Sequence, residues 1–454
     1  MNCKKILTLD FKPMQDENYS QKAQKLWLAP SVRHAISGTV ALPGSKSLTN
    51  RELVLSALAQ SPSILRHPLD SRDSQLMIES LRKLGAQVNS ETEGDLVIVP
   101  PTTDISASTP LTVNIDCGLA GTVMRFVPPM AALFRGEITF DGDESARRRP
   151  MLTTITSLRS LGVSVEDQGQ GTLPFTINSS GTVAGGYLEI DASASSQFVS
   201  GLLLSAPRFT NGLQLRHVGE DLPSLPHIEM TLACLQARGV KVSQPEPTLW
   251  IVEPGPIAGG EITIEPDLSN AGPFLAAAMV AGGSVRISNW PINTTQVGKH
   301  FVDLLTRMGA SFERSGSDLI ITGTGHIKGI DVDLSIGGEL APVIIALAVL
   351  ADSPSRITGI AHLRGHETDR LAALTAEINK IGGSATELTD GVAIEPTANL
   401  RGGLWLTYED HRMATAGAII GLRVSDIEVE DITVVGKTMP NFVELWDKLL
   451  EASA

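Results

Sequence analysis

The chain has 454 residues, which at about 150 residues per domain allows roughly three domains, each long enough to bury its own core. Lys and Arg total 36 against 50 Asp and Glu, a formal charge of −14 that excludes a protein coating nucleic acid or an anionic membrane. Any anionic ligand of such a chain has to be held by a local cationic cluster.

Residues 1–30 read as a polar, flexible extension. Its apolar run, Ile6 to Leu9, is interrupted by Asp10 and Lys12 and is too short for a signal peptide. No apolar stretch reaches the ~18 residues of a membrane span; the best, 340–351, directly follows Glu339. Cys3, Cys117 and Cys234 are odd in number, widely spaced and without CxxC or His-rich company. Neither a disulfide framework nor a metal site is expected, and the cytoplasm is the expected compartment.

Beyond the extension the chain is periodic. An amphipathic helix ending in an apolar residue and Gly, then a strand, a turn and a second strand, recurs as LRKLGAQV (from Leu81), LRSLGVSV (from Leu158), LQARGVKV (from Leu235), LTRMGASF (from Leu305) and INKIGGSA (from Ile378). Gly85, Gly162, Gly239, Gly309 and Gly382 stop these helices, because glycine tolerates the left-handed conformation that closes a helix end. Their spacing sets a unit of about 75 residues, outside the roughly 20–50-residue periods of common solenoids. A second helix in each unit is rich in small apolar residues, as in NAGPFLAAAMVAGG (270–283), and helices apolar on every side are buried.

The unit is thus β-α-β-α-β-β-like and occurs six times. Six units cannot share one core, so three and three is the economical division, with a crossover near 254–260. Residues 45–260 make the first domain, and 31–44 with 261–454 the second. The last amphipathic helix, NFVELWDKLL (441–450), is not followed by strands, so the segment around 31–43 is expected to cross back and complete the second domain.

The units diverge where the buried helices begin: GSKSLTNR (44–51), DCGLAGTVMR (116–125), ASASSQF (192–198), PDLSNAG (266–272), GGELAP (337–342) and YEDHRMA (408–414). Pseudo-threefold symmetry within each domain would turn these helix N-termini toward one cleft, where free N–H groups and helix dipoles make an anion site. Lys46, Arg51, Arg125, His411 and Arg412 add full charges there. Taken singly, each motif has an ordinary reading: Ser and Gly before a helix are common caps, and Arg147, Arg148 and Arg149 read as a solvated loop. Their shared register in a sixfold repeat argues otherwise.

With LPGSKSLTNR (42–51), GLAGTVMRF (118–126), RRRPM (147–151), SASSQF (193–198), RGHETDRL (364–371), EDHRMA (409–414) and GKTMP (436–440) in this order, the chain resembles the 5-enolpyruvylshikimate-3-phosphate synthases of the enolpyruvyl transferase family from about residue 31 to 450. The resemblance implies that family's α/β fold, an inverse α/β-barrel-like pair of domains, each with three copies of a β-α-β-α-β-β unit. It also implies transfer of the enolpyruvyl group of phosphoenolpyruvate to the 5-hydroxyl of shikimate 3-phosphate, with release of phosphate, toward chorismate and aromatic amino acids. The first domain would take shikimate 3-phosphate and the second phosphoenolpyruvate.

On matching positions, the resemblance implies shikimate 3-phosphate contacts from Lys46, Ser47, Arg51, Ser195, Ser196, Gln197, Ser224, Glu339 and His366. It implies a phosphoenolpyruvate cradle of Lys46, Gly121, Thr122, Arg149, Gln197, Arg370, Arg412 and Lys437. Guanidinium suits carboxylate and phosphate bidentately, while lysine offers a compact charge and a transferable proton. The chemistry needs a base for the 5-hydroxyl proton and an acid for the methylene carbon. Glu339 stands at the family's proton-acceptor position, usually Asp, and Glu367, assisted by Lys46, is expected to move the proton at the methylene carbon.

His366, Leu119 and His227 depart from the Lys, Asn and Tyr of many members, and Glu339, His366 and His227 read as a subgroup variation. Gly121 and Thr122 keep the pattern of members inhibited by glyphosate. The UDP-N-acetylglucosamine enolpyruvyl transferases share the fold but carry a reactive Cys on a first-domain loop; residues 141–150 here have none, and Cys117 is expected to pack in the core. No metal, organic cofactor, nucleic acid or membrane partner is expected, and the chain reads as a monomer.

Overall fold

The computed structural model describes residues 26–91, 94–101, 109–220 and 222–452; Cys3 and residues 1–25 of the expected extension lie outside them. The third repeat shows how a unit is made. Gly186–Ile190 runs parallel to Leu213–His217, and parallel neighbours need a crossover, which the helix Gln197–Ser205 supplies. The amphipathic helix Leu225–Ala237 then leads into the antiparallel hairpin of Val242–Glu246 and Leu249–Val252, whose second strand inserts beside Leu213–His217. The same strand order recurs in the sheets of the second and fifth units. All five helix-stop glycines adopt the left-handed region, with φ from +77° to +110°.

The crossover helices are α1 (Lys46–Leu58), α2 (Gly121–Ala131), α3 (Gln197–Ser205), α4 (Gly272–Ala281), α5 (Ala341–Val349) and α6 (His411–Gly421). They are buried over nearly their whole length and pack in two triads, α1 to α3 and α4 to α6. Two separate apolar cores result. One gathers residues from Leu53 to Ile257, the other Ala29, Ile36, Val40 and residues from Leu268 to Leu450.

The two lobes are joined by an exchange of strands. Ile36–Val40, which opens the first unit, pairs in parallel with Gly283–Ile287 of the fourth. Gly260–Thr263, which opens the fourth unit, pairs in parallel with Ser63–Arg66 of the first. The crossing segments meet at a bridge between Gly44 and Pro266, flanked by the Ser45 N–H donating to Glu265 O at 2.8 Å and the Asp267 N–H donating to Pro43 O at 2.9 Å.

This exchange corrects two sequence expectations. Residues 260–263 belong to the first lobe's sheet, covering an edge of Ser63–Arg66 that would otherwise stand open, so the crossover falls after them rather than near 254–260. Residues 31–43 do enter the second lobe, but they complete the fourth unit. The strand missing from the sixth is Trp27–Leu28, antiparallel to Ile427–Val429, so these two residues of the expected flexible extension are part of a sheet. Among the described residues no helix is long and apolar enough to cross a membrane.

Gly283 tests the exchange, because its φ is +90° and a Cβ there would overlap the Ile36 carbonyl oxygen. Gly283→Ala should cost about 2 kcal/mol or more, read as a lower urea midpoint at an unchanged m-value.

Candidate active site

A cavity opens between the lobes where the six buried helices begin. Its wall includes Lys46 and Ser47 of α1, Gly121 and Thr122 of α2, Ser196 and Gln197 at α3, Ser269 and Asn270 just before α4, Glu339 just before α5, and His411 and Arg412 of α6. Six sets of terminal N–H groups and six positive dipole ends therefore share one space. Arg125 and Arg149 (Nε), Gln197 (Oε1), His362 (Nε2) and His411 (Nδ1), all residues of this wall, keep a buried polar atom without a hydrogen-bond partner. Such atoms are costly unless a bound molecule satisfies them.

Carboxylates stand behind the cations. Asp410, fully buried, receives Arg370 Nε at 2.7 Å and Nη2 at 3.2 Å, and also caps α6 by accepting from the Arg412 N–H at 2.8 Å. Arg370 Nη2 donates as well to Glu367 at 2.8 Å, and Nη1 lies 3.2 Å from His366 Nδ1. Burial works against the Arg370 charge, but Asp410 and Glu367 outweigh it and raise its pKa. Asp267 holds the turn that leads into α4: it accepts from the Ser269 and Asn270 N–H groups, and from the Lys46 N–H of the other lobe at 3.0 Å. Arg149 and Arg412 are less committed, each giving one bond to a backbone carbonyl, of Leu119 and Ser269 respectively.

Two carboxylates face the cavity as anions. Burial alone would raise the pKa of Glu339, but the charge and hydrogen bond of His227, with Arg412 and Ser269, hold it far below the usual carboxylate range. His227 Nε2 lies 3.0 Å from one Glu339 oxygen, and the Ser269 hydroxyl donates to the other. Burial opposes ionisation of Glu367 too, yet Lys437 at 2.6 Å and Arg370 hold it well below that range.

Of the residues singled out in the sequence, Lys46, Ser47, Arg51, Gly121, Thr122, Arg149, Ser195, Ser196, Gln197, Ser224, Glu339, His366, Glu367, Arg370 and Arg412 all line this one cavity. Lys437, expected in the phosphoenolpyruvate cradle, does not; its ammonium stands one layer back, donating to Glu367 and to the Leu119 carbonyl at 3.2 Å. Arg51 lines the wall but is 1% exposed, with four of its five N–H donors given to Thr231, Ser47, Ser200 and His227, so it braces the site from behind. Burial lowers its pKa to about 10. The Thr122 hydroxyl accepts from Asn50 at 2.8 Å. Sequence reasoning did not single out Asp73, Asp267, Ser269, Gln296 or His362; only PDLSNAG, already marked as a helix start, carried a signal for two of them. Cys117 is buried away from this wall, and burial pushes its thiol pKa up.

The family model of EPSP synthase (3-phosphoshikimate 1-carboxyvinyltransferase) matches residues 31–446. The chain belongs to the EPSP synthase family. A 3-phosphoshikimate 1-carboxyvinyltransferase of Kocuria rhizophila is 54% identical over 445 residues, 96% of this chain and 99% of that protein. Two solved structures of EPSP synthase from Acinetobacter baumannii share the fold at 23% identity, with TM-scores of 0.77 and 0.75, each covering 94% of this chain and 98% of the other. The two-lobed enolpyruvyl transferase architecture is therefore common to relatives of quite different sequence.

Three histidines of this wall give the site a pH signature. Burial, then the Arg370 charge, pushes His362 down from 6.5 to about 4, and burial also pushes His366 and His411 down. The unfolded chain takes up protons below about pH 6.5 while the folded site stays neutral, so stability is complete above that pH and is lost as pH falls toward 4. Thermal midpoints should fall across this window, and His362→Gln should flatten the slope.

Proposed function

We propose that the chain transfers the enolpyruvyl group of phosphoenolpyruvate to the 5-hydroxyl of shikimate 3-phosphate, releasing phosphate. The observation that carries this reading is one cavity in which six helix N-termini and Lys46, Arg149, Arg370 and Arg412 surround two ionised carboxylates, Glu339 and Glu367. Two small polyanions that must exchange protons match that combination. Ser195, Ser196, Gln197, Ser47, Ser224 and Lys46 would hold shikimate 3-phosphate, with His366 at its ring. Arg149, Arg370 and Arg412 would grip phosphoenolpyruvate beside Gly121 and Thr122, while Arg51 and Lys437 support from behind.

In the addition step, Glu339 accepts the 5-hydroxyl proton as that oxygen bonds to C2 of phosphoenolpyruvate, and Lys46 delivers a proton to the methylene carbon. The product is a tetrahedral ketal. In the elimination, Glu367, anionic through its ion pairs, takes a proton from the new methyl group as the C–O bond to phosphate breaks. The proton held by Glu339 leaves with the phosphate, and the one on Glu367 returns to Lys46. The surrounding cations and dipoles stabilise charge on the departing phosphate without reorganising. We also read the chain as a cytoplasmic monomer, since both halves of the cavity come from one chain and, among the described residues, Cys117 and Cys234 are unpaired; light scattering giving a dimer mass would refute the monomer.

Phosphate release from phosphoenolpyruvate with shikimate 3-phosphate tests the activity; release only with a UDP-sugar, or none, overturns it. Glu339→Gln should lower kcat by about 100-fold or more with little change in the KM for phosphoenolpyruvate. A Cβ at Gly121 would sit 3.1 Å from Gln197 Oε1 and 3.2 Å from Arg149 Nη2. Gly121→Ala should therefore weaken inhibition by glyphosate, read as a higher inhibition constant against phosphoenolpyruvate.

A further inference from the structure

Glu339 takes one partner from each lobe. Ser269, which donates to one carboxylate oxygen, belongs to its own lobe; His227, 3.0 Å from the other, stands in the first turn of the helix Leu225–Ala237 in the opposite lobe. The His227 backbone is itself fixed, because its carbonyl accepts from Arg51 Nη2 at 2.9 Å, from Thr231 Oγ1 at 2.9 Å and from Ser200 Oγ at 3.4 Å. Arg51 in turn donates to the Ser47 carbonyl of α1 at 2.8 Å, so the ring is tied to the helix that carries Lys46. Just upstream, the Ser224 N–H reaches the Ser335 carbonyl across the cleft at 3.3 Å, holding the two elements in register.

We propose that His227 is a positioning residue for Glu339: carried by the first lobe, its ring donates to a carboxylate carried by the second, so that the base takes its working orientation only when the lobes are apposed. This rests on the reading of Glu339 as acceptor of the 5-hydroxyl proton. A glutamate has three side-chain torsions, and Ser269 alone fixes a single oxygen; the second hydrogen bond, from a rigid ring on a braced helix, sets the plane of the carboxylate. Proton abstraction is thereby tied to lobe apposition, and the base is not assembled in a splayed molecule.

The charged and titratable groups that act on this carboxylate are His227, Arg412, Asp267, His362, Arg51 and Arg370. His227 makes the largest favourable contribution to its ionised form. Removing the ring therefore changes both the orientation and the basicity of Glu339, which a role in packing alone would not do.

The experiment compares His227→Leu, His227→Gln and Glu339→Gln by pH-dependent kinetics. His227→Leu should lower kcat about tenfold or more, the scale of one hydrogen bond to a charged group, with the KM for phosphoenolpyruvate nearly unchanged. The acid limb of its kcat–pH profile should move to higher pH, because Glu339 loses the largest of the contributions that hold it ionised and keeps only those of Arg412 and Ser269. His227→Gln, which still presents an N–H, should recover most of kcat, and it remains informative if the leucine variant is poorly folded. Wild-type kcat and an unmoved acid limb in His227→Leu, or a glutamine variant as slow as a folded leucine variant, would overturn the inference. If Glu339→Gln keeps full activity, the base assignment itself fails and this inference with it. If Glu339→Gln is slow while His227→Leu is not, only the role of His227 is lost.

Discussion

Like charges repel, and no chain can gather six helix N-termini, several arginines and a lysine around one cavity unless anions are placed among them. The rest of the site is arranged around that constraint. Asp410 neutralises Arg370 and caps α6 with the same carboxylate; Asp267 ties down the turn that leads into α4 and receives the first N–H of α1. Glu367 lies between Arg370 and Lys437, and Glu339 between Ser269 and His227. The cavity can then stay formed while the less committed groups, chiefly Arg149 and Arg412, remain available to an incoming anion. An overall charge of −14 and a cationic centre are compatible because so many acidic residues work as local counter-charges or lie elsewhere on the surface.

The strand exchange supplies the geometry. Each lobe borrows the opening strand of the other, and the crossing segments are hydrogen-bonded to each other at 43–45 and 265–267. These segments lead straight into the N-terminal ends of α1 and α4. The link between the lobes therefore lies at the cavity itself, and the contacts that join them, such as Lys46 with Asp267, involve residues that also shape the wall.

Much of this was legible in the chain. Glycine after an amphipathic helix has one backbone reason to recur, and five such glycines revealed the repeat; apolar helices with no polar face had to be buried; polar residues in register before them had to meet if the units were related by symmetry. The exchanged partners were less legible. A four-residue strand such as Gly260–Thr263 carries no mark of which sheet it joins, and Trp27–Leu28 is too short to stand out from a polar leader. The roles of Arg51 and Lys437 were obscured similarly. A cation in a binding motif reads as a ligand-holder, whereas burial and the identity of its acceptors decide whether its donors face the cavity or brace it.

The sequence by itself determined the six-unit α/β organisation, the buried helices and most of the cationic residues and helix starts that surround the cavity, because periodicity, glycine conformation and helix-end chemistry are local properties that residue order encodes directly. Only the tertiary structure decided which strands are exchanged, that Lys437 stands behind Glu367, and that His227 and Glu339 meet across the cleft. Those outcomes depend on residues as far apart as Lys437 and Leu119, or His227 and Glu339, being brought within hydrogen-bonding distance. Such proximity is a consequence of how two cores and their crossing strands pack, and no local signal along the chain carries it.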